Sequence, residues 1–82
     1  MDRSEICRSV LSVVEREYGT DSPNEDTDIF NDIGLDSFSF ILFMVEVEKE
    51  FSIALIDRDV EWHEITHIHN LVDLVEGVVS GS

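Results

Sequence analysis

The sequence holds one cysteine, Cys7, and one proline, Pro23, in 82 residues, and only five lysines or arginines. A lone thiol cannot close an intramolecular disulfide, so the fold must rest on its core and a reducing compartment fits. On a segment with helical periodicity, Cys7 reads as a partly buried structural thiol rather than a reactive one. The few cations face nineteen Asp or Glu residues, a net charge of -14. Phosphate binding needs the opposite sign, which argues against nucleic acid as a partner and against an anionic membrane surface. A basic patch on another protein would be attracted, although the same charge would also serve solubility alone. In either case self-repulsion should make stability rise with added salt. No apolar run approaches a membrane span, and Met1-Asp2-Arg3-Ser4-Glu5 is charged where a signal peptide would be apolar. A cytoplasmic protein without direct membrane insertion is expected.

What is present is a folded chain. A length of 82 residues closes one core, and the 43% hydrophobic content is spread in regular clusters, so a single domain over 1–82 is predicted. Asp2 followed by Glu5 offers a helix start, and Ile6, Val10, Val14 and Tyr18, supported by Leu11 and Val13, recur at helical spacing up to Gly19. Thr20 to Asp28 has no apolar period and reads as a long loop, while Ile29, Phe30 and Ile33 pin its end to the core. Ser37 to Phe51 lacks Gly and Pro and carries Phe38, Ile41, Phe43, Met44, Val47 and Phe51, which makes a second helix, apolar nearly all round in its first half. A strand over Phe38 to Val47 is the alternative, disfavoured by length. Asp57 can cap a brief helical turn through Asp59, Val60 and Trp62. Thr66 then caps a last helix with Ile68, Leu71, Val72 and Val75 on one stripe, ending at Gly77. The folded part is therefore expected over about 3–77, with 78–82 frayed.

Two patterns compete for function. His63-Glu64-Ile65-Thr66-His67 matches the spacing of zinc hydrolases, in which two imidazoles one helical turn apart hold the metal and the Glu serves as base. Neither His69 nor Glu76 falls at the third-ligand spacing, and a cap at Thr66 would break the helix between the histidines. No metal site is expected. Asp21, Asp26 and Asp28 lack the central Gly and the closing Glu of a calcium loop.

The second pattern is Gly34-Leu35-Asp36-Ser37-Phe38, where a loop becomes a long helix. A serine there can be a plain cap. An ester-linked phosphate on it would instead sit beside unpaired N–H groups at the positive end of the helix dipole.

The run Asp28-Ile29-Phe30-Asn31-Asp32-Ile33-Gly34-Leu35-Asp36-Ser37-Phe38 resembles the acyl and peptidyl carrier protein family, whose signature is an Asp-Ser pair followed by a bulky apolar residue. The resemblance covers nearly the whole chain. The Leu35-Asp36-Ser37-Phe38 wording, Phe51 and Asp57-Arg58-Asp59-Val60 look most like the D-alanyl carriers and related freestanding aminoacyl carriers. It implies an all-α four-helix bundle with a long loop between helices one and two and a short third helix. It also implies a protein that catalyses nothing and carries 4'-phosphopantetheine on Ser37. Asp36 would help position metal and coenzyme during transfer, and Phe38 would meet the modifying enzyme. Implied partners are a holo-carrier synthase, an ATP-dependent acyl or aminoacyl ligase and a downstream acyltransferase or synthase. The cargo would be an aminoacyl or short acyl thioester.

Family members often carry acidic residues on helix two just after the serine, where this chain has Ser39, Phe40 and Leu42. Phe40 and Leu42 are either additional core or a hydrophobic docking patch. Glu46 and Glu48, further along, are the candidates for electrostatic docking. An unmodified acidic helical adaptor, with Ser37 as a plain cap, is the remaining alternative.

Overall fold

The computed structural model describes residues 2–81. Three α-helices, α1 (Arg3–Tyr18), α2 (Ser37–Phe51) and α3 (Ile68–Gly81), are joined by two long connections, and the second connection contains one 3-10 turn, Trp62–Glu64. Among the described residues there is no strand, only an isolated bridge between Asp28 and His67. The all-α class holds, and Phe38 to Val47 is helical.

Each helix begins and ends where its local chemistry dictates. The Asp2 carboxylate accepts from Glu5 N–H and opens α1, and Gly19, at φ +63°, closes it by donating to the Glu15 carbonyl. The apolar stripe of α1, Ile6, Val10, Val13 and Val14, is buried against α2 and α3. The core is completed by Phe43, Met44 and Val47 from α2, by Ile68, Leu71, Val72 and Val75 from α3, and by Ile29 and Leu55 from the connections. Each fully buried side chain of this size contributes roughly 1.5–3 kcal/mol, so this one cluster supplies the main stabilisation that a disulfide-free chain needs. Arg3 draws three carboxylates together, Glu25 at 3.2 Å, Glu76 at 3.5 Å and Asp73, and so ties α1 to the first connection and to α3.

The first connection is tied down at its end, as its apolar residues predict. Ile29 is fully buried, and Phe30 and Ile33 pack against the core. Asp28 organises this anchor. Its carboxylate accepts from the N–H groups of Phe30 and Asn31 and from the Asn31 amide, each at 2.9 Å. Gly34 follows at φ +88°, a conformation that a side chain would strain, and turns the chain into Leu35 and Asp36.

Three expectations about the second half are corrected. Asp57 caps no helix: the third element is the single 3-10 turn at Trp62–Glu64, preceded by Glu61, which makes no side-chain cap. The connection instead hangs on α2, because Glu48 Oε2 accepts from the N–H groups of Leu55 and Ile56. The last helix begins at Ile68 rather than directly after Thr66, since Asn70 Oδ1 reaches back to accept from Thr66 N–H at 3.2 Å and His67 N–H at 3.0 Å. It also does not end at Gly77. Val78 and Val79 pack against the core, which offsets the penalty of about 1 kcal/mol for a helical glycine and carries α3 on to Gly81. Within the expected frayed segment 78–82, only Ser82 lies outside the described residues.

Candidate functional site

Asp36 is the residue that caps α2. Its extended backbone and its carboxylate, which accepts from Ser39 N–H at 2.8 Å, place it at the N-cap position and leave Ser37 as the first helical residue. That backbone hydrogen bond, with help from the Ser39 side chain, holds the Asp36 carboxyl below its usual range. The consequence falls on Ser37. Its side chain is exposed, and its hydroxyl makes no hydrogen bond within the described residues.

Beside Ser37 runs an apolar groove of about 370 Å³, lined by Phe30, Phe40, Ile41, Met44, Ile56, Trp62 and His63. Aromatic packing builds its floor: Phe40 lies 5.4 Å from Phe30 and meets Trp62 edge-on at 6.0 Å. The groove thus joins α2, the anchored end of the first connection and the 3-10 turn. A long flexible group with a phosphate at its base fits here: the hydroxyl is open to solvent, the helix N-terminus favours the anion, and the groove offers apolar contact.

The other predicted residues divide. Phe38, 71% exposed, and Leu42, 50% exposed, face solvent. Phe40 does not: at 7% exposure it belongs to the core and offers a partner only the edge it shows to the groove. The two sides of α2 therefore answer the open question differently for Phe40 and Leu42. Glu46 is half-buried and lies 3.6 Å from Lys49. Glu48 is occupied with the backbone of the second connection and is no free docking charge.

Ile41 and Ile56, 52% and 41% exposed, were missed as site residues, as were Trp62 and His63. Ile41 was legible in principle, one helical turn after Ser37 and hence on the same face. Ile56, Trp62 and His63 reach the groove through a connection whose path has no periodic signal.

The zinc-hydrolase pattern is broken by the backbone. His63 lies in the 3-10 turn, Ile65 is extended, and His67 precedes α3, so the two imidazoles do not share a helix. His67 is engaged with Thr66 Oγ1 at 2.8 Å and with the Asp28 carboxylate at 3.6 Å. Among the described residues no three metal-ligating side chains converge. In the acidic loop Asp21 and Asp26 are exposed, and Asp28 caps its own turn.

The profile of the family described as "Phosphopantetheine attachment site" matches residues 5–75, nearly all of the chain. The chain belongs to that family. It is similar to the acyl carrier protein of Thermotoga maritima, with 28% identity over 76 residues that cover 90% of this chain and 91% of that one. It is also 28% identical over 75 residues to the acyl carrier protein of Cyanidium caldarium, covering 89% of this chain and 85% of that one. As a member of the acyl and peptidyl carrier family, the chain is a carrier rather than an enzyme, and 4'-phosphopantetheine is its covalently attached prosthetic group. No helix among the described residues is long and apolar enough to cross a membrane.

Proposed function

We propose that Ser37 bears the phosphopantetheine arm and that the chain, acting as one carrier domain, moves an aminoacyl or short acyl group between a ligase and a transferase. The observation that carries this reading is the uncommitted hydroxyl of Ser37, exposed at the first position of α2 because Asp36 does the capping. The bound arm supplies a terminal thiol on which the cargo is held as a thioester. The residues of the chain supply the rest. Asp36 fixes the first turn of α2 and thereby the direction of Ser37. The exposed carboxylate next to the serine is also suited to orient metal and coenzyme when a holo-carrier synthase docks.

Phe38, Ile41, Leu42 and Ile56 give that enzyme, and later an ATP-dependent ligase and a downstream acyltransferase, an apolar surface flanked by acidic residues. Tethering lets affinity reside in this surface rather than in the small cargo. The reducing environment suggested by a lone, half-buried Cys7 fits a cytoplasmic site of action.

The test is intact-mass spectrometry after incubation with coenzyme A and a broad-specificity holo-synthase. Wild type gains one arm and Ser37→Ala gains none. Arm attachment to the Ala variant overturns the assignment, and a wild type that remains bare returns the chain to the adaptor reading.

A further inference from the structure

The groove beside Ser37 has one ionisable side chain in its lining, and that side chain is His63. Apart from Ser37 and the indole N–H of Trp62, the other residues lining the groove are apolar. His63 is also the member of the zinc-like pattern that the fold leaves without a structural task. His67 is held by Thr66 and Asp28, whereas the His63 ring is 77% exposed and only approaches the equally exposed Glu61 carboxylate, 3.6 Å from Nδ1. A surface pair of that kind contributes little to stability. With Nδ1 beside that carboxylate, Nε2 is the ring nitrogen left to meet another polar group.

A phosphopantetheine arm is not uniformly apolar. It carries a hydroxyl and two amides between its phosphate and its thiol, and these groups lose hydrogen bonds to water if the arm settles on an apolar wall. An arm leaving Ser37 therefore meets a groove that satisfies its methyl groups and, at few points, its polar groups, with the exposed His63 ring the one that can both donate and accept. We infer that His63 is a positioning residue for the arm, hydrogen-bonding one of its amide or hydroxyl groups so that the arm lies along the Phe40, Ile41, Ile56 and Trp62 wall instead of extending into solvent. This inference rests on Ser37 being the attachment point.

The hydrogen bond needs only one ring nitrogen and works with either the neutral or the charged imidazole. An asparagine retains hydrogen-bonding capacity at this position, while alanine and phenylalanine do not. The exposed position makes all three substitutions compatible with the fold, which circular dichroism of each variant checks.

The experiment uses the full chain, isotopically labelled, carrying an unlabelled arm, with isotope-filtered nuclear Overhauser measurements between arm and protein. The wild type should show contacts from the arm to the His63 ring and to the methyl groups of Ile41 and Ile56. His63→Ala and His63→Phe should lose the contacts at Ile56 and sharpen the arm's resonances, and His63→Asn should restore them. On arm attachment the His63 ring signals should move, while those of His67 and His69 stay in place. An arm seen by mass on Ser37 that shows no contact to residue 63, or whose signals are the same in His63→Ala, overturns the positioning role and leaves the attachment site standing. Loss of the mass gain on wild type removes both.

Discussion

The two long helices after the first connection each start beside a hydroxyl residue, and the structure uses the two hydroxyls in opposite ways. At the start of α3, Thr66 is consumed: its Oγ1 donates to Asn70 Oδ1 at 3.2 Å and lies 2.8 Å from His67 Nδ1. The free N–H groups of that helix are taken by carbonyls from the first connection, Ile68 N–H by Thr27 and His69 N–H by Glu25. At the start of α2 a single local side chain, that of Asp36, does the capping, and Ser37 keeps its hydroxyl. The difference is between a helix end sealed by tertiary contacts and one sealed by its own preceding residue. Only the second leaves a nucleophilic oxygen and anion-favouring N–H groups together on the surface.

Breaking this contrast has its largest effect on chemistry. Ser37→Ala should abolish arm attachment, while Thr66→Ala should leave attachment complete and cost about 1 kcal/mol of stability, the value of one modest part-buried hydrogen bond. Intact mass and a urea titration on the same two proteins check both halves. The next effect in size is on stability alone. Asn70→Ala removes the acceptor shared by Thr66 and His67, and should cost roughly 1–3 kcal/mol because those groups are part-buried and lose their partner. A lower urea midpoint with an unchanged slope is expected, with arm attachment intact; slower modification in this variant would mean that the two helix starts are coupled.

The same contrast explains what could be seen in the sequence and what could not. Asp2, Gly19 and the α1 stripe act through neighbours within a few residues, so periodicity and capping rules located α1 to the residue. The Asp36 cap is equally local, and the loop-to-helix junction at Asp36-Ser37 was legible for that reason. Glu48 acts across a turn of the chain, on Leu55 and Ile56, and His63 reaches the groove through the second connection. Glu48 looked like a docking charge because nothing in the sequence shows that Leu55 and Ile56 return to the end of α2. Phe40 and Leu42 could not be separated by pattern, since the first half of α2 is apolar on every side; only the positions of Phe30 and Trp62 decide that Phe40 is the inward one. The extension of α3 past Gly77 likewise depends on the core surface available to Val78 and Val79.

Acid sharpens the comparison from another direction. Asp36 and Asp28 each accept backbone N–H groups, which hold both carboxyls below the ordinary value of 3.8, Asp28 chiefly through Asn31. A depressed folded-state value means that the unfolded chain binds protons first as pH falls. Their stabilising contribution is therefore fully present above the unfolded value and is lost as pH drops through the lower folded one. Thermal melts of wild type and Asp28→Ala should differ at pH 7, and the gap should close at pH values below 3.8. A gap that stays constant into acid would show that the carboxylate charge is irrelevant to the anchor.

At the far end of α2 a committed and a weakly engaged carboxylate stand two residues apart, and the smallest expected effect falls on the second, Glu46. Glu48→Ala should cost roughly 1.5–3 kcal/mol by stripping Leu55 and Ile56 N–H of a charged acceptor. Glu46 pairs only with the 69% exposed Lys49, at 3.6 Å. Replacing it by Lys exchanges a weak attraction one helical turn apart for a weak repulsion, so stability should change by no more than about 0.5 kcal/mol. If docking has an electrostatic part in addition to the apolar surface, Glu46→Lys should slow loading by the ligase at low salt, with the difference fading as salt screens it. Equal rates at low salt would assign recognition on this face to Phe38, Ile41 and Leu42 alone, because Glu48 is already spent on the fold.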